Sequence, residues 1–543
     1  MVVGSRQSHD DQAMRQVDLT SESNPGTHAS PWRAARLSSV LSSPHAALLV
    51  VAFGIVLRLI RYLSDRSLRV DEAYLAINLM TRSYRDLLET LDFNQGAPIG
   101  FLWAERLMLE LFGDGELSLR FVPLLVGLVS LGLFFLVARE VLQQAALLIA
   151  LVLVATMEPF VRYSAEMKQY GSDVAVTLAL LYLYVRVFKS RRSGVRLTIV
   201  LALAGPLAVW LSHPAIFVLT GVATAGLYVA VRGRDRGALA HQAVAYGVWL
   251  LSFLVVYLVA VRDLDDLRQT VQSVGSTWSE RIKNLYAIFN EPGEFVRTST
   301  GLAAAVALIG LICLWRRRSD IIVLFAATIF SLLIAGYLGM YPIGGRFLLF
   351  LLPIAVLCIA EGITGIARIT PRSLACGLLF AVAALILLPV VGSAARQLVV
   401  PPKNEEIEPL LEQLASEWRA GDLLYLDPAS QYAFRYYVEC DDCSPVTSTA
   451  RRLWPSHPTQ GGQPQSTPAI VSESSSLIVG VTQTFGRARL GGKSRVWLLF
   501  THFVSGTEEE LLEKADLNGT RIRCTHGGAS LLCLYDFRRR PVP

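Results

Sequence analysis

Charged residues are scarce in this chain. Only 17% of its 543 residues are Asp, Glu, Lys or Arg, whereas 53% are hydrophobic. Long apolar runs recur along the sequence, and the mean hydropathy is +0.45. A soluble core needs less apolar material than this, so the composition excludes an ordinary soluble globular protein and indicates a polytopic membrane protein.

The positive charge is also modest. The net charge is +6, and we find no face on which basic residues alternate with aromatic ones. Such a face is the usual signature of nucleic-acid binding, so we expect no nucleic-acid partner. No internal repeat is visible, and no cleavable signal precedes the first apolar run.

About eleven apolar runs are candidate membrane spans. Some are shorter than the roughly 20 residues that a spanning helix needs, so they must borrow flanking polar residues. The runs are Ala46–Leu57, Phe121–Ala138, Ala145–Met157, Val174–Phe188, Leu197–Leu211, Ala215–Val231, Ala243–Val261, Leu302–Leu314, Ile321–Met340, Phe347–Ala360 and Leu374–Val391.

Basic clusters between these runs predict the orientation. They lie at 189–196, 231–237, 315–320 and 367–372, on the side shared with Arg33 and Arg36. The positive-inside rule makes that side cytoplasmic. An odd number of spans then places the C-terminal segment outside.

The composition divides the chain into three parts. Residues 1–45 are polar, without apolar periodicity, and are predicted to be a disordered cytoplasmic tail. Residues 46–395 form the transmembrane domain, whose first extracytoplasmic loop, about 63–119, contains amphipathic stretches that roof a cavity. Residues 396–543 alternate helix-like and strand-like segments and are predicted to be an extracytoplasmic α/β domain.

The cysteines agree with this orientation. Of seven, four lie in the C-terminal segment: Cys440, Cys443, Cys524 and Cys533. An oxidising compartment would allow two local disulfides. The Cys-Asp-Asp-Cys sequence could instead be a metal or redox site, but no second CxxC and no His at zinc spacing accompany it, so we favour a structural disulfide.

The adjacent acids Asp71 and Glu72 are the best indication of function, because carboxylates beside the hydrocarbon are costly and tend to be kept for ion, proton or substrate work. Asp71 suits a general base that takes a proton from an acceptor hydroxyl. It could also cap a helix beginning at Glu72. Glu72 could bind the acceptor or a divalent ion, or lie solvated in the first helical turn.

Four segments carry a family resemblance. They are VDEAYLAINLM at 70–80, the stretch from FNQGAPIG to LGLFF at 93–135, EPFVRYSAEMKQYGSDV at 158–174 and YPIGGRFLLFLLP at 341–353. With them, residues 46–395 resemble glycosyltransferase family 39-like membrane proteins, which are relatives of the protein O-mannosyltransferases and the lipid A aminoarabinose transferases.

The resemblance implies a GT-C fold, in which a sugar moves from a polyprenyl-phosphate carrier to an acceptor on the outer face. Asp71 matches the family's catalytic aspartate. One departure concerns the lipid phosphate: the aminoarabinose transferases have a Lys-Pro step in the first loop, whereas this chain has Gln95, Gly96, Ala97 and Pro98.

Other cations must then hold the phosphate. Lys168 and Arg346 lie at the predicted outer ends of their spans, where a cation meets a lipid phosphate, and Arg58 is a weaker candidate of the same kind. Lys168 and Arg346 could instead be snorkelling anchors. Gln95 and Tyr170 complete the predicted substrate-binding set.

Helical geometry adds a constraint. If the fourth span continues upstream through residues 164–173, then Glu166, Tyr170 and Asp173 share one face while Lys168 points almost oppositely. We therefore expect that these residues do not all line one cavity.

The sequence as a whole predicts a multi-pass glycosyltransferase of the plasma (inner) membrane. Its donor would be a polyprenyl-phosphate-linked sugar, and its acceptor a protein, polysaccharide or lipid. No organic cofactor is implied, and no carboxylate cluster demands a divalent metal. The alternatives are a non-catalytic transporter or flippase of lipid-linked sugars, or a membrane anchor for a C-terminal binding module; apolar spans nearly free of charge at their centres argue against the transporter.

Overall fold

The computed structural model describes residues 44–64, 66–189, 195–261, 277–289, 297–400, 405–443, 477–479, 494–502 and 507–538. The predicted disordered tail at 1–45 lies almost wholly outside these residues.

Sixteen α-helices are described between residues 44 and 400. They are α1 (Pro44–Tyr62), α2 (Val70–Thr81), α3 (Ile99–Phe112), α4 (Glu116–Leu119), α5 (Phe121–Val141), α6 (Gln144–Thr156), α7 (Glu158–Arg162), α8 (Tyr170–Lys189), α9 (Val195–Leu211), α10 (Ala215–Arg232), α11 (Arg236–Val256), α12 (Trp278–Tyr286), α13 (Arg297–Arg317), α14 (Ser319–Tyr337), α15 (Leu352–Ile369) and α16 (Arg372–Val399). A 3₁₀ segment, Gly345–Leu351, leads into α15.

Within the described residues, eight helices are long and apolar enough to cross a membrane. Two shorter apolar helices cover Gln144–Thr156 and Thr198–Leu211. The chain is therefore a mostly helical, multi-pass membrane protein. The number of eleven spans stays a prediction.

Two helices of the bundle, α13 and α15, approach closely through glycines. A Cβ atom on Gly310 would overlap the carbonyl oxygen of Cys358, and one on Gly362 would overlap that of Val306. Small residues let helix backbones meet where no hydrophobic effect drives association in lipid.

The first loop lies at one end of the bundle, called the loop end below, and consists of α2, α3 and α4 with two short 3₁₀ turns. Helix α2 begins at Val70, after an extended Arg69. The backbone N–H of Arg69 donates to the Glu72 carboxylate at 3.1 Å, which satisfies one of the amides that a helix start leaves unpaired.

The described residues of the C-terminal domain form a five-stranded sheet and three helices. Its elements are α17 (Glu408–Glu417), β1 (Leu423–Leu426), α18 (Ser430–Glu439), β2 (Leu477–Val479), β3 (Val496–Phe500), α19 (Thr507–Asp516), β4 (Thr520–Gly527) and β5 (Ser530–Asp536). The strand order is β2-β1-β3-β5-β4, with β1 parallel to β2 and β3, and β5 antiparallel to β3 and β4. Helix α16 runs past the predicted boundary at residue 396, as far as Val399.

Two disulfides lie in this domain. Cys524 pairs with Cys533 across neighbouring strands β4 and β5, and Cys440 pairs with Cys443 just after α18. These are the two local pairs that the sequence predicts, and the Cys-Asp-Asp-Cys motif is a disulfide in this structure.

The first loop and the C-terminal domain share one hydrophobic core. Leu75 and Leu79 of α2 are buried in the same cluster as Phe434 of α18 and Trp497 of β3. Because β3 alternates its side chains, its other face packs in a second, smaller core within the domain. The domain therefore positions α2, the helix that carries the acidic pair.

Candidate functional site

Asp71 and Arg346 meet at the loop end. Arg346 Nη1 donates to Asp71 Oδ2, although the two residues are 275 positions apart. Asp71 lies in the first turn of α2, and Arg346 is the second residue of the 3₁₀ segment that begins at Gly345. Gly345 has a φ of +49°, a left-handed conformation that glycine adopts without steric cost. Both charged side chains are partly exposed, so a ligand can reach them.

The capping alternative for Asp71 is wrong. The helix begins at Val70 with Arg69 as its N-cap, so Asp71 is already the second helical residue. Its negative charge still interacts favourably with the helix dipole, but its carboxylate faces Arg346.

Lys168 lies beside this pair and is almost fully buried. Its Nζ donates to Gln95 Oε1 at 2.9 Å. The stretch Gln95–Pro98 of the first loop contains no lysine, and the structure brings Lys168 to it from another loop. Burial lowers the pKa of the Lys168 ammonium to about 8, although the negative charge of Asp71 acts to raise it.

The same charges act on Asp71. Burial alone would raise the pKa of its carboxyl, but the positive charges of Lys168 and Arg346 outweigh burial and lower the pKa to about 2. Asp71 is therefore ionised at neutral pH.

The predicted separation of Lys168 from Tyr170 does not hold. Helix α8 begins only at Tyr170, and residues 163–169 form a non-helical turn. Gln169 Nε2 donates to the carbonyl of Gly96 at 3.0 Å, which fastens the turn to the first loop. Lys168 therefore reaches the site together with Tyr170. Glu166 turns away toward Arg162, at 2.7 Å.

The aromatic ring of Tyr170 packs against the guanidinium of Arg346. The guanidinium carbon lies 5.4 Å from the centroid of the Tyr170 ring, and Phe347 stands edge-on to that ring with centroids 5.8 Å apart. A cation above an aromatic face is attracted to it and held in orientation.

Glu72 is not solvated, and that alternative is wrong. Its side chain is 1% exposed and accepts from Arg120 through both carboxylate oxygens at 3.2 Å. The backbone amides of Arg69 and Met167 also donate to it. These bonds, with the positive charge of Arg120, hold the pKa of Glu72 well below its usual range despite burial, which acts to raise it. Glu72 thus faces protein donors and supports α2, contrary to its predicted role in binding substrate.

Arg58 lies inside the helix bundle, away from the site. Its guanidinium is 1% exposed and donates to the carbonyls of Gly54, Val154 and Ala155 at 3.0–3.4 Å. The structure therefore gives Arg58 a structural position, which corrects its candidacy as a phosphate ligand.

The C-terminal domain reaches the site through residues that the sequence reasoning missed. Glu405 Oε2 accepts from the Val70 amide at 2.9 Å, and Glu405 Oε1 lies 3.5 Å from Arg69 Nε. His502 Nδ1 lies 2.8 Å from the same carboxylate, and this hydrogen bond raises the pKa of His502. The separation of 335 residues between Val70 and Glu405 leaves no periodic signal by which to find this contact.

A cavity of about 330 Å³ opens next to Arg346. Its polar lining consists of the cations Arg162 and Arg346 together with Glu158, Tyr163 and Asn284. Its apolar part includes Leu348, Leu349 and Leu352. It combines cations with hydrocarbon, as an amphipathic anion requires.

No group of three or more His, Cys, Asp or Glu residues among the described parts of the chain is arranged to hold a metal ion. The expectation that no metal is demanded stays a prediction, as does the absence of an organic cofactor.

Comparison with known proteins decides the fold. The structure of ArnT from Cupriavidus metallidurans in the apo state aligns with 92% of this chain and 98% of its own, at 14% identity and a TM-score of 0.50. The chain has the GT-C fold. Residues 96–261 also match the family model of dolichyl-phosphate-mannose-protein mannosyltransferase. The predicted resemblance to family 39-like membrane glycosyltransferases is thereby confirmed.

Two further structures with this fold align less well. ArnT from the same organism bound to undecaprenyl phosphate aligns with 90% of this chain and 97% of its own, at 14% identity and a TM-score of 0.49. The archaeal oligosaccharyltransferase AglB from Archaeoglobus fulgidus aligns with 92% of this chain and 75% of its own, at 12% identity and a TM-score of 0.47. A comparison with curated proteins gives no match.

Proposed function

We propose that this protein is a membrane glycosyltransferase that moves a monosaccharide from a polyprenyl-phosphate carrier to an acceptor hydroxyl on the extracytoplasmic face of the plasma (inner) membrane. Asp71 is the general base, and Arg346 and Lys168 bind the donor phosphate. The match of residues 96–261 to a family whose name specifies a dolichyl-phosphate sugar supports this donor class.

The observation that carries the proposal is the convergence of Asp71, Arg346 and Lys168 beside an amphipathic cavity. A polyprenyl-phosphate sugar has an anionic head on an apolar chain. Arg346 and Lys168 would bind the head, and the leucines that follow Arg346 would contact the first isoprene units. A guanidinium also suits bidentate contact with phosphate.

These groups account for every bond, electron pair and proton in the proposed transfer. The acceptor oxygen forms a bond to the anomeric carbon while the bond from that carbon to the phosphate oxygen breaks. The bonding electron pair leaves with the phosphate, which gives polyprenyl phosphate, and the hydroxyl proton moves to Asp71. Arg346 and Lys168 stabilise the negative charge that develops on the leaving group.

Donor binding would also activate the base. Without donor, Asp71 is paired with Arg346, and its low pKa makes it a weak base. A bound phosphate competes for the same guanidinium and reduces the positive charge that Asp71 experiences. The pKa of Asp71 then rises toward the value that a general base needs.

Lipid analysis tests the donor site. The protein is purified in its native lipids, and bound lipids are identified by mass spectrometry for wild type, Arg346→Ala and Arg281→Ala. Arg281 is a suitable control because it lies on α12 over the Trp278 ring, 5.8 Å from its centroid, and does not contact Asp71. We expect polyprenyl phosphate or its glycosylated form with wild type and the control, and a clear loss in Arg346→Ala. Equal recovery from all three would refute the donor site.

Asp71→Asn tests the base. We expect transfer to fall by a factor of about 100 or more, since a positioned general base contributes roughly 10²–10⁴-fold. Recovery of polyprenyl phosphate should remain, because Arg346 and Lys168 are intact. Asp86→Asn is the matched control, since Asp86 is an exposed residue of the same loop that bonds only locally to Ser83. Undiminished transfer by Asp71→Asn would refute this role.

A further inference from the structure

Three aromatic rings from distant parts of the chain meet beside Asp71. Tyr74 belongs to α2, Phe93 to the first loop and Tyr432 to α18 of the C-terminal domain. Their ring centroids are 4.6 Å apart for Tyr74 and Tyr432, 4.7 Å for Phe93 and Tyr432, and 5.7 Å for Tyr74 and Phe93. All three rings are half-buried. We call this set the aromatic platform.

The platform lies on the face of α2 that carries Asp71. Positions 71 and 74 are three residues apart on one helix, so their side chains are neighbours. The pKa of Tyr74 is raised by burial and, after that, by Tyr432 and the carboxylates of Asp71, Asp427 and Glu405. The carboxylates of Asp71, Asp427 and Glu405 therefore act on Tyr74, whereas the cation Arg435 acts on Tyr432.

The loop that supplies Phe93 is held in a strained conformation. Phe93 and Asn94 have φ values of 60° and 56°, which a bulky residue such as Phe rarely adopts. The Asn78 side chain on α2 holds Asp92, the residue before Phe93, by two hydrogen bonds. Asp92 N–H donates to Asn78 Oδ1 at 2.8 Å, and Asn78 Nδ2 donates to the Asp92 carbonyl at 3.2 Å. Strain of this kind, retained by surrounding bonds, is concentrated at functional sites.

The spacing of the rings selects the kind of ligand. Rings whose centroids are 4.6–5.7 Å apart are in mutual contact, so no cation fits between them and the set is not a cage for an ammonium group. A ligand can only lie against the outer ring faces. A flat ligand meets this condition.

The charges around the platform further restrict the class of ligand that it can bind. The carboxylates around the platform repel an anionic group and accept hydrogen bonds from hydroxyls. A sugar ring has an apolar face of C–H groups that packs on aromatic rings, and a rim of hydroxyls for the carboxylates. Arg346 donates to Asp71, and Lys168 donates to Gln95. In the proposed function these two cations hold the phosphate of the donor and not the acceptor sugar.

We infer that the aromatic platform of Tyr74, Phe93 and Tyr432 binds a neutral sugar ring of the acceptor, so that the C-terminal domain selects a glycan acceptor. This inference rests on the proposed function, since it places an acceptor hydroxyl at Asp71. It assigns Tyr432 as a specificity-determining residue supplied by the domain.

Saturation-transfer NMR tests the platform directly. The protein is placed in lipid nanodiscs prepared without sugar-based detergent, and the probes are neutral methyl glycosides, neutral trisaccharides and a peptide containing Ser and Thr. The variants are Tyr432→Ala, Tyr432→Leu and Tyr432→Phe, with Tyr84→Ala as control. Tyr84 is a half-buried tyrosine of the same loop that pairs edge-on with Trp103, away from the platform.

We expect at least one saccharide to receive saturation at its ring C–H protons with wild type and with Tyr84→Ala. Binding should weaken about fivefold in Tyr432→Ala and Tyr432→Leu and persist in Tyr432→Phe, because the flat ring and not apolar bulk makes the contact. Tyr432→Leu retains bulk if the alanine variant does not fold, and thermal unfolding of each variant checks folding.

Three results would overturn the inference: no saccharide binds wild type, the signal is equal in Tyr432→Leu, or only the peptide responds to Tyr432. Polyprenyl phosphate recovered from the same samples separates the two proposals. If the lipid binds and the saccharides do not, the platform is refuted and the proposed function stands. If the lipid is absent even from wild type, the proposed function itself fails.

Discussion

At the scale of single residues, the site has the charge that its proposed ligand requires. Arg346 and Lys168 contribute two positive charges and Asp71 one negative charge, which leaves one positive charge in excess. A polyprenyl-phosphate sugar is a phosphodiester with one negative charge, so it neutralises this excess. The released monoester gains further negative charge near neutral pH, which explains why two cations are useful to it.

Lys168 makes donor binding sensitive to pH. Its pKa is lowered to about 8, so the ammonium is present below that pH and is lost above it. We expect the affinity for polyprenyl phosphate to fall as the pH rises from about 7.5 to 9.5, up to tenfold per pH unit. The measurement is lipid binding at constant ionic strength.

Lys168→Arg is the diagnostic variant for this effect. A guanidinium stays charged throughout that range, so the decline should disappear. An identical decline in the variant would mean that another group causes it.

At the scale of elements, the acidic helix α2 is fixed to the bundle by the buried pair of Glu72 and Arg120. Arg120 also donates to the carbonyls of Arg66 and Ser67 at 2.6 Å and 3.2 Å. One guanidinium therefore holds both the start of α2 and the chain that leads into it.

Arg120→Met should destabilise the protein by about 3–5 kcal/mol, because it leaves the Glu72 charge buried without its partner. The double variant Glu72→Gln with Arg120→Met should recover part of this loss. Lys514→Met is the control, since Lys514 pairs with Glu510 on the exposed face of α19, and such a pair should contribute at most about 1 kcal/mol. Denaturant unfolding in nanodiscs measures all three. A loss equal to that of the control would show that the pair is dispensable.

The crossing of α13 and α15 depends on the absence of a side chain at Gly362. Gly362→Ala should lower the melting temperature, because the added Cβ would overlap the carbonyl of Val306. Gly392→Ala is matched to it, since no atom lies within 4 Å of the Cβ position there. That change should be neutral or slightly stabilising, as alanine favours helix over glycine. Similar melting temperatures for the two variants would contradict close packing at this crossing.

Local patterns predict local elements well here and fail where a distant contact intervenes. The amphipathic stretches of the first loop are indeed helices, α2 and α3. The helix expected through residues 164–169 is replaced by a turn, because Lys168 and Gln169 bond to Gln95 and Gly96, 73 positions earlier. Periodicity contains no information about such a contact.

The site was predictable to a similar degree. Asp71, Lys168 and Arg346 were each predicted from charge beside the membrane. The structure brings these residues together, and their roles stay predictions. Glu72 and Arg58 were misassigned because sequence does not reveal which buried charges find protein partners. Those partners are Arg120 for Glu72 and the backbone carbonyls of the bundle for Arg58.

At the scale of the whole molecule, the membrane part and the C-terminal domain are one structural unit at the loop end. Trp497 is fully buried in the core that also contains Leu75 and Leu79 of α2. Its indole N–H donates to Asp422 Oδ2 at 2.9 Å. A substitution that destabilises the domain should therefore also destabilise the first loop.

Trp497→Ala should destabilise the domain by about 3–5 kcal/mol and, in the same step, make the loop at 63–119 sensitive to protease. Limited proteolysis with mass spectrometry of the fragments measures both. Ile522→Ala, in β4 and half exposed, is the control that should change neither. A domain that unfolds while the loop stays resistant would contradict a common core.

The shared core has a consequence for the order in which the protein is made. The ribosome synthesises α2 more than 400 residues before the strand that contains Trp497. The apolar face of α2 therefore has no such packing partner until that strand has been made. Val70 likewise waits 335 residues for the Glu405 carboxylate, which accepts a hydrogen bond from its amide. A truncated or stalled chain can therefore insert its membrane helices while Asp71 and Glu72 still lack the contacts that position them. We expect the proposed transfer to begin only after the C-terminal domain has been made.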